Sequence, residues 1–335
     1  MQQNGMNVDP TLAFAELQPD DILDSLEHIG FECDGRFLAL NSYENRVYRI
    51  GIENDEPVVA KFYRPGRWSD DAILEEHSFT IELEEQEIPV VAPLTINGQT
   101  LHHHGPFRFS VSPCRGGRAP ELDDIDLQKQ LGRLVARIHL QGETRTFRFR
   151  PSLDIDSYGV ESADFLLDEG FIPPELTDNY EGIVEHLLDN VSACYDRAGS
   201  VRNIRLHADF HPSNVLVNQE QLHIVDLDDA RSGPSVQDLW MFLSGDRNEQ
   251  QGQLTNLLDG YQDFRQFDAR EINLIEALRS LRMLHYAAWV AGRWEDPAFK
   301  IAFPWFNTGR YWDEHILMLR EQTALMQEPP LEWIY

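Results

Sequence analysis

Three polar side chains stand at fixed spacing between apolar, strand-like runs in the second half of the chain. Asn214 follows Asp209 by five residues, and Asp226 follows Asp209 by seventeen. Magnesium takes oxygen ligands and retains waters, so one Asn carbonyl and one carboxylate can hold it beside nucleotide phosphates. A further carboxylate can accept or orient the proton of an attacking hydroxyl. The spacing therefore predicts phosphoryl transfer from ATP, with Asp209 as the base and with Asn214 and Asp226 as Mg²⁺ ligands.

The chain is poor in lysine, which makes the position of each lysine informative. Only Lys61, Lys129 and Lys300 are present, so 25 of the 28 basic residues are arginines. Lys61 stands in the apolar run Val-Val-Ala-Lys-Phe-Tyr-Arg, where it can serve the α- and β-phosphates of a nucleotide. Its partner should be an inward-facing carboxylate on the next helix. Glu76 shares the apolar face of that helix, whereas Glu75 is turned away by about 100°, so we expect Glu76.

The loop expected to cover the phosphates departs from the usual composition. Kinase loops at this place commonly contain glycine, but residues 40–48 contain none. We therefore expect Ser42, through its hydroxyl and the backbone amides of the turn, to contact ATP. Asn41 and Asn45 suit a tight turn for structural reasons alone.

The elements that must position these residues change in character along the chain. Short β-branched and aromatic runs come first, then a segment rich in Gly and Pro (113–120), and then amphipathic helical periodicity. This order predicts an α+β protein with an N-terminal ATP-binding lobe (1–112) and a C-terminal catalytic and substrate lobe (113–335). The first should be β-rich with one helix, and the second α-rich with one hairpin. The predicted elements are helices over 21–29, 69–87, 125–142 and 180–197, strands over 36–40, 45–52, 57–64 and 106–112, another strand before the Asn97-Gly98 turn, a hairpin within 216–227, and helices from 236 to 319.

Charge and cysteine content exclude several classes of protein. The chain has 28 Lys plus Arg against 57 Asp plus Glu, a net charge of −29. Such a charge disfavours nonspecific binding to nucleic acid or to an anionic membrane. The three cysteines have no short regular spacing, so they predict neither a disulfide framework nor a zinc site. The absence of a signal-like start and of a long apolar window predicts a soluble cytoplasmic protein.

The order of base, metal Asn and metal Asp resembles that of the protein-kinase-like superfamily. Within it, the form His-x-Asp-x-x-x-x-Asn over 207–214 and the segment Asp-Leu-Asp-Asp-Ala-Arg (226–231) resemble the aminoglycoside phosphotransferase and choline kinase branch. Ala208 stands where relatives have Arg or Gly, at a position whose side chain is not catalytic. The resemblance implies a bilobal, protein-kinase-like α+β fold.

Further segments resemble one family of that branch, the bacterial stress-response serine/threonine kinases. They include LNSYENRVY (40–48), VAKFYRPGRW (59–68) and GPSVQDLWM (233–241). The resemblance implies use of ATP and Mg²⁺, phosphorylation of protein Ser/Thr including the kinase itself, a cytoplasmic monomer, and a role in surviving envelope or oxidative stress. It also implies that Asp209 and Asp226 are the active-site aspartates.

Other interpretations stay open at this level. Small-molecule hydroxyl kinases of the same fold use the same base, metal ligands and lysine, so the choice of a protein acceptor depends on the resemblance. A pseudokinase that only binds ATP is a further alternative, although it would not need the full set of catalytic side chains. The run His207-x-Asp209-x-His211 could ligate the metal of a hydrolase, but no second cluster completes such a site. An Asp and an Asn in one loop can also simply cap turns.

Overall fold

The computed structural model describes Phe14 and residues 17–218 and 221–333. These residues form two compact units. One comprises the described chain up to Arg118 together with Leu216–Asp228, and the other comprises Ala119–Val215 and the chain from Asp229 onward. The division of the sequence at residue 112 into two lobes stays a prediction.

The first unit is built on a five-stranded antiparallel sheet with the strand order β1-β2-β3-β5-β4. In β3, Val58, Ala60 and Phe62 are buried, while Val59 and Lys61 between them are partly exposed. This alternation is typical of a sheet with one face on a core. It confirms the predicted consecutive antiparallel strands. The strands are β1 (Cys33–Ala39), β2 (Arg46–Ile52), β3 (Val58–Phe62), β4 (His102–His104) and β5 (Phe107–Pro113).

The strand predicted before the Asn97-Gly98 turn is wrong. Asn97 and Gly98 do form a turn, with φ values of 52° and 78°, but it closes only an isolated bridge. The strand that forms a hairpin with β5 is β4, and the chain reverses between them at Gly105. The segment before the turn contains Pro89 and Pro93, which cannot donate to a strand ladder.

Two helices pack in this unit, α1 (Pro19–His28) and α2 (Asp70–Glu85). They confirm the helices predicted over 21–29 and 69–87, so the description of this lobe as having one helix was wrong. As predicted, Ser69 caps α2, and its hydroxyl accepts a hydrogen bond of 3.2 Å from the Ala72 amide. A short hairpin from later in the chain also belongs to this unit. It pairs with the segment after α2 through the Val91 amide, which donates to the Ile224 carbonyl at 2.9 Å.

The second unit is mainly helical, and the helices predicted over 125–142 and 180–197 are confirmed. A two-stranded sheet of β6 and β9 was not predicted, because the Ser-Gly-Pro in β9 has low strand propensity. No helix within the described ranges is long and apolar enough to span a membrane. The remaining elements are α3 (Ile125–Gly142), α4 (Glu161–Asp168), α5 (Thr177–Ala198), β6 (Asn203–Leu206), β7 (Val215–Asn218), β8 (Gln221–Ile224), β9 (Arg231–Pro234), α6 (Gln237–Trp240), α7 (Arg247–Tyr261), α8 (Ile275–Ala291), α9 (Pro297–Ala302) and α10 (Gly309–Gln327), with β7 and β8 forming the hairpin of the first unit.

Helices α3 and α7 touch backbone to backbone. A Cβ at Gly132 of α3 would lie 1.9 Å from a carbonyl oxygen of α7, and one at Gly260 of α7 would lie 2.0 Å from a carbonyl oxygen of α3. Only glycine allows this approach. It brings His139 of α3 to a 2.8 Å hydrogen bond with the Tyr261 hydroxyl of α7.

Candidate active site

The loop that carries Asp209 follows β6 and contains a strained residue, Ala208, whose φ is 67°. A left-handed conformation at a residue other than glycine persists only where its surroundings enforce it. Here the enforcing group is Asp238 of α6, whose carboxylate accepts from the amides of His207 at 2.9 Å and Ala208 at 2.7 Å. The Gln237 side chain donates to the Ala208 carbonyl at 2.7 Å. The start of α6 therefore sets the shape of this loop.

Asp238 is itself fixed by the α3–α7 pair. Its side chain is fully buried, and His139 Nε2 lies 3.2 Å from it. Burial lowers the pKa of His139 in spite of the neighbouring carboxylate. The neutral imidazole donates to Asp238 from Nε2 and accepts from the Tyr261 hydroxyl at Nδ1. A buried carboxylate with three donors is satisfied, which makes it a rigid support for the loop.

The carboxylate of Asp209 lies between an arginine and a histidine of the same unit. Arg282 Nη1 of α8 is 2.7 Å from Asp209 Oδ1, and His211 Nε2 is 3.4 Å from Oδ2. Burial alone would raise the pKa of Asp209, but His211 and the charge of Arg282 outweigh it and hold that pKa below its usual value. Asp209 is therefore ionised at neutral pH and is able to orient or accept the proton of a hydroxyl.

In the first unit, Lys61 of β3 makes two ion pairs with the segment after β8. Its Nζ is 2.8 Å from Asp226 Oδ1 and 3.2 Å from Asp228 Oδ1. Burial alone would lower the pKa of Lys61, but the two carboxylates hold it well above its ordinary value. Asp226 has a φ of 63°, so this segment too contains a strained residue other than glycine. The structure thus brings Lys61 and Asp226 together.

Asp228 joins the glycine-free loop to this ion pair. Its buried carboxylate accepts from Asn45 Nδ2 at 3.1 Å and contacts Arg67 Nη1. Asn45 Oδ1 in turn accepts from the Arg64 amide at 3.1 Å. The loop that includes the partly exposed Ser42 is therefore anchored by side chains rather than by glycine geometry.

Sequence reasoning missed three of these groups: Asp228, Arg67 and Asn45, the last of which it assigned to a turn. The available signal was the second carboxylate of Asp-Leu-Asp-Asp and the arginine in Arg-Pro-Gly-Arg-Trp. Sequence reasoning also missed Asp238 and Arg282. They lie 29 and 73 residues beyond Asp209 in sequence, so no local pattern connects them to it.

Glu76 is buried in α2, where its Oε1 accepts from the Thr80 hydroxyl at 2.8 Å. Its charge is among those that raise the pKa of Lys61, after Asp226 and Asp228. The carboxylates within ion-pair distance of Lys61 are those of Asp226 and Asp228. The pairing of Glu76 with Lys61 stays a prediction.

An apolar surface lies beside Lys61 on one face of the sheet. The strand register places Val47, Val59 and Leu38 on the same face as Lys61. Farther along this face, a cavity of about 260 Å³ is lined by Leu38 and Arg49 among others. Apolar side chains next to a partly exposed cation suit a ligand with a flat base and a charged tail.

Two oxygens have the chemistry that Mg²⁺ prefers. Asn214 Nδ2 donates to the Asp209 carbonyl at 2.9 Å. The Oδ1 of Asn214 has no partner in the described part of the chain. Asp226 uses Oδ1 for Lys61, and its Oδ2 likewise has no partner there. Carboxylate and amide oxygens fit a hard cation that keeps other ligands from water or phosphate.

A hydrolase-type metal cluster has no counterpart among the residues that the structure describes. Within the described ranges, no group of three or more His, Cys, Asp or Glu is placed to hold a metal ion. His207 is buried and stacks on Phe210, with ring centroids 4.9 Å apart. His207 therefore braces the loop.

The chain is similar to known kinases over nearly its whole length. The model of a family described as "Phosphotransferase enzyme family" matches residues 36–274. Stress response kinase A of Salmonella choleraesuis (strain SC-B67) is 42% identical over 324 residues, which cover 97% of this chain and 98% of that protein. The protein of the same name from Escherichia coli (strain K12) is 43% identical over 319 residues, with 95% and 96% covered. A Salmonella typhimurium relative named "Serine/threonine protein kinase RdoA" is 42% identical over 324 residues, with 97% and 98% covered.

Solved structures support the fold. An amicoumacin kinase, hAmiN, in complex with AMP-PNP, Ca²⁺ and Ami superposes with a TM-score of 0.72 at 18% identity, covering 93% of this chain and 94% of that chain. A microcompartment-associated aminopropanol kinase superposes with a TM-score of 0.68 at 18% identity, covering 91% and 96%. The predicted kinase-like α+β fold is confirmed.

Proposed function

Because the chain belongs to the phosphotransferase enzyme family, together with the stress response kinases A, we propose that it is an ATP- and Mg²⁺-dependent serine/threonine protein kinase. The observation that carries the proposal is the ion pair of 2.8 Å between Lys61, whose side chain is mostly buried, and the half-exposed Asp226. In kinases of this superfamily, a strand lysine serves the phosphates and an aspartate at this place serves the metal. With only three lysines in the chain, this placement is informative.

In the proposed reaction, a Ser or Thr hydroxyl attacks the γ-phosphorus of ATP. A new P–O bond forms as the bond to the β-phosphate oxygen breaks, and ADP leaves. Asp209 orients the hydroxyl and takes its proton, Lys61 binds the α- and β-phosphates, and Ser42 contacts ATP from the loop after β1. Glu76 is proposed to support Lys61. Asp209 and Asp226 are the proposed active-site aspartates.

Asn214 and Asp226 would hold the Mg²⁺. Their support is the free oxygen that each side chain presents and their spacing in the sequence, with one before β7 and the other after β8. Mg²⁺ held by these two side chains would supply positive charge that offsets the negative charge of the phosphates. The amide of Asn214 holds the Asp209 carbonyl, so this residue would also connect the base to the metal site.

The proposed acceptor is a protein, including the kinase itself. Its support is the near full-length similarity to relatives named as stress response and serine/threonine protein kinases. The solved structures named for small-molecule substrates are only 18% identical. A metabolite kinase is the second candidate, because the same side chains serve either acceptor. We further propose a cytoplasmic, monomeric kinase that acts in the stress response and has no nucleic-acid or membrane partner.

Transfer of labelled phosphate tests the proposal. Purified protein with γ-labelled ATP and Mg²⁺ should label itself or a basic protein such as histone, and Asp209→Ala should abolish the label. Asp263→Ala is the matched control, since Asp263 is half exposed and pairs only at the surface, 2.6 Å from Arg133. Transfer to choline or an aminoglycoside without any protein labelling would favour the metabolite kinase. ATP binding without transfer to any acceptor would favour the pseudokinase.

A further inference from the structure

Arg282 meets the proposed base from a helix that the sequence motifs do not include. Its Nη1 is 2.7 Å from Asp209 Oδ1, and its side chain is about one-third exposed, at 35%. No other hydrogen bond or ion pair of this guanidinium is found among the described residues. An arginine with five donors and a single carboxylate partner is committed to that carboxylate.

The neighbouring arginines are committed elsewhere. Arg279, one turn earlier on α8, pairs with Glu276 of the same helix at 3.4 Å. Arg231 of β9 pairs with Asp229 at 3.0 Å. Of these three arginines, only Arg282 pairs with Asp209.

The contact with Asp209 is ionic rather than directional. Oδ1 of Asp209 is buried and has no aligned hydrogen-bond donor in the described part of the chain, although Arg282 lies 2.7 Å away. The guanidinium can therefore hold the buried Oδ1 in place, while the exposed part of the Asp209 side chain, 24% of its surface, lies away from Oδ1 and is open to an incoming hydroxyl.

Two electrostatic effects favour a cation beside the Asp209 carboxylate. The neighbouring Asp229 carboxylate repels that of Asp209, since its charge acts to raise the pKa of Asp209. The whole protein carries a net charge of −29, which opposes the approach of ATP. A fixed cation at Asp209 offsets both effects at the point where the acceptor hydroxyl must be oriented.

Building on the proposed function, we propose that Arg282 is a positioning residue for Asp209, which fixes the orientation of the base carboxylate toward the acceptor hydroxyl. The backbone of α8 gives it a firm base, because Leu281 and Leu284 on either side are fully buried. The residue acts through Asp209 and is not proposed to touch ATP.

Steady-state transfer to histone tests this assignment. Arg282→Ala should lower kcat about 10- to 100-fold, the range expected when a catalytic group is misplaced by about 1 Å, while KM for ATP changes less than about twofold. Arg282→Lys keeps the charge and should restore part of the loss. Added guanidinium ion should restore activity to Arg282→Ala, because it can replace the missing cation beside Asp209. It should not restore activity to Asp209→Ala.

Arg279→Ala is the matched control, since it removes an arginine of the same helix that pairs away from Asp209, and it should leave kcat unchanged. A wild-type kcat in Arg282→Ala would overturn the positioning role. A loss that guanidinium does not restore, together with a lowered unfolding midpoint, would also overturn it by showing a structural role. If Asp209→Ala keeps its activity, the proposed base is refuted, which is a separate failure from that of Arg282.

Discussion

Two carboxylate-bearing segments carry the proposed chemistry, and they are held in different ways. Each contains a residue other than glycine with positive φ, Ala208 at 67° in the second unit and Asp226 at 63° in the first. The Asp209 loop is held through its backbone amides by one buried carboxylate, Asp238. The Asp226 segment is held through side-chain ion pairs with Lys61.

The difference matches what each segment is proposed to do. A base must keep a fixed orientation, and backbone hydrogen bonds to a fully buried acceptor provide that with little freedom. A nucleotide brings several negative charges, so its site needs cations that are held close together before the nucleotide binds. Asp228 contacts both Lys61 and Arg67 and so holds these two cations close together.

After the loss of labelling expected for Asp209→Ala, the largest effect is expected at Asp226. Asp226→Ala removes one of the two carboxylate partners of Lys61 and one of the two proposed metal ligands, so phosphoryl transfer should fall about 10³-fold, as when a preorganised charge at a transition state is lost. The side chain is about half exposed, at 53%, so the thermal unfolding midpoint should stay near that of the wild type. Assays of transfer and of unfolding on the same preparation check both statements. A variant that transfers at the wild-type rate would remove Asp226 from the mechanism.

The second effect tests the scaffold of the Asp209 loop. Asp238→Asn leaves one acceptor oxygen where the amides of His207 and Ala208 and the imidazole of His139 all donate. A buried donor without an acceptor should lower the free energy of unfolding by about 2–3 kcal/mol, with a loss of activity beside it. Urea denaturation measures this, with the surface change Asp263→Asn as control. Unchanged stability would show that the loop does not depend on Asp238.

The third effect tests the ion-pair network of the first unit. Asp228→Asn leaves Lys61 and Arg67 with one carboxylate fewer and weakens the anchor of the loop at Asn45. We expect KM for ATP to rise about tenfold, the equivalent of about 1.4 kcal/mol, and kcat to change less. The exposed Asp55→Asn serves as the control in the same unit. A lower KM would contradict the account, because it would mean that Asp228 competes with the phosphates for these cations.

The smallest effect concerns the second unit alone and depends on pH. His285 in α8 stacks on Tyr158, and burial lowers its pKa from 6.5 to about 3. Between these two pH values the unfolded chain binds a proton at His285 that the folded chain does not bind. The stability that comes from keeping His285 buried and neutral is therefore complete above about pH 6.5 and is lost as the pH falls. His285→Gln should reduce the loss of stability between about pH 7 and pH 5.5 by about 1 kcal/mol. An unchanged acid dependence in urea titrations would exclude His285 as its source.

Local patterns could be predicted from the sequence, and contacts distant in sequence could not. The strands around Lys61 and the cap at Ser69 follow from alternation and residue type within a few positions. The pairing of β4 with β5 was missed because a strong turn at Asn97-Gly98 suggested the segment before that turn as the partner of β5. Turn chemistry fixes a local bend but not which strand pairs with the next.

The candidate site divides in the same way. Asp209, Asn214 and Asp226 lie within one short segment of characteristic spacing, so their chemistry could be predicted from residue type. Arg282 lies on a helix where a partly exposed arginine is ordinary, and only the fold brings it to Asp209. Positions of this kind become visible once three-dimensional contacts are known.

The most direct test of the central claim compares nucleotide affinity in two variants. We expect Asp209→Ala to bind Mg²⁺ and AMP-PNP with an affinity within about threefold of the wild type in calorimetry, while Asp226→Ala loses about tenfold or more, because the first segment serves the hydroxyl and the second the nucleotide. Loss of nucleotide binding in Asp209→Ala, with binding preserved in Asp226→Ala, would contradict this division.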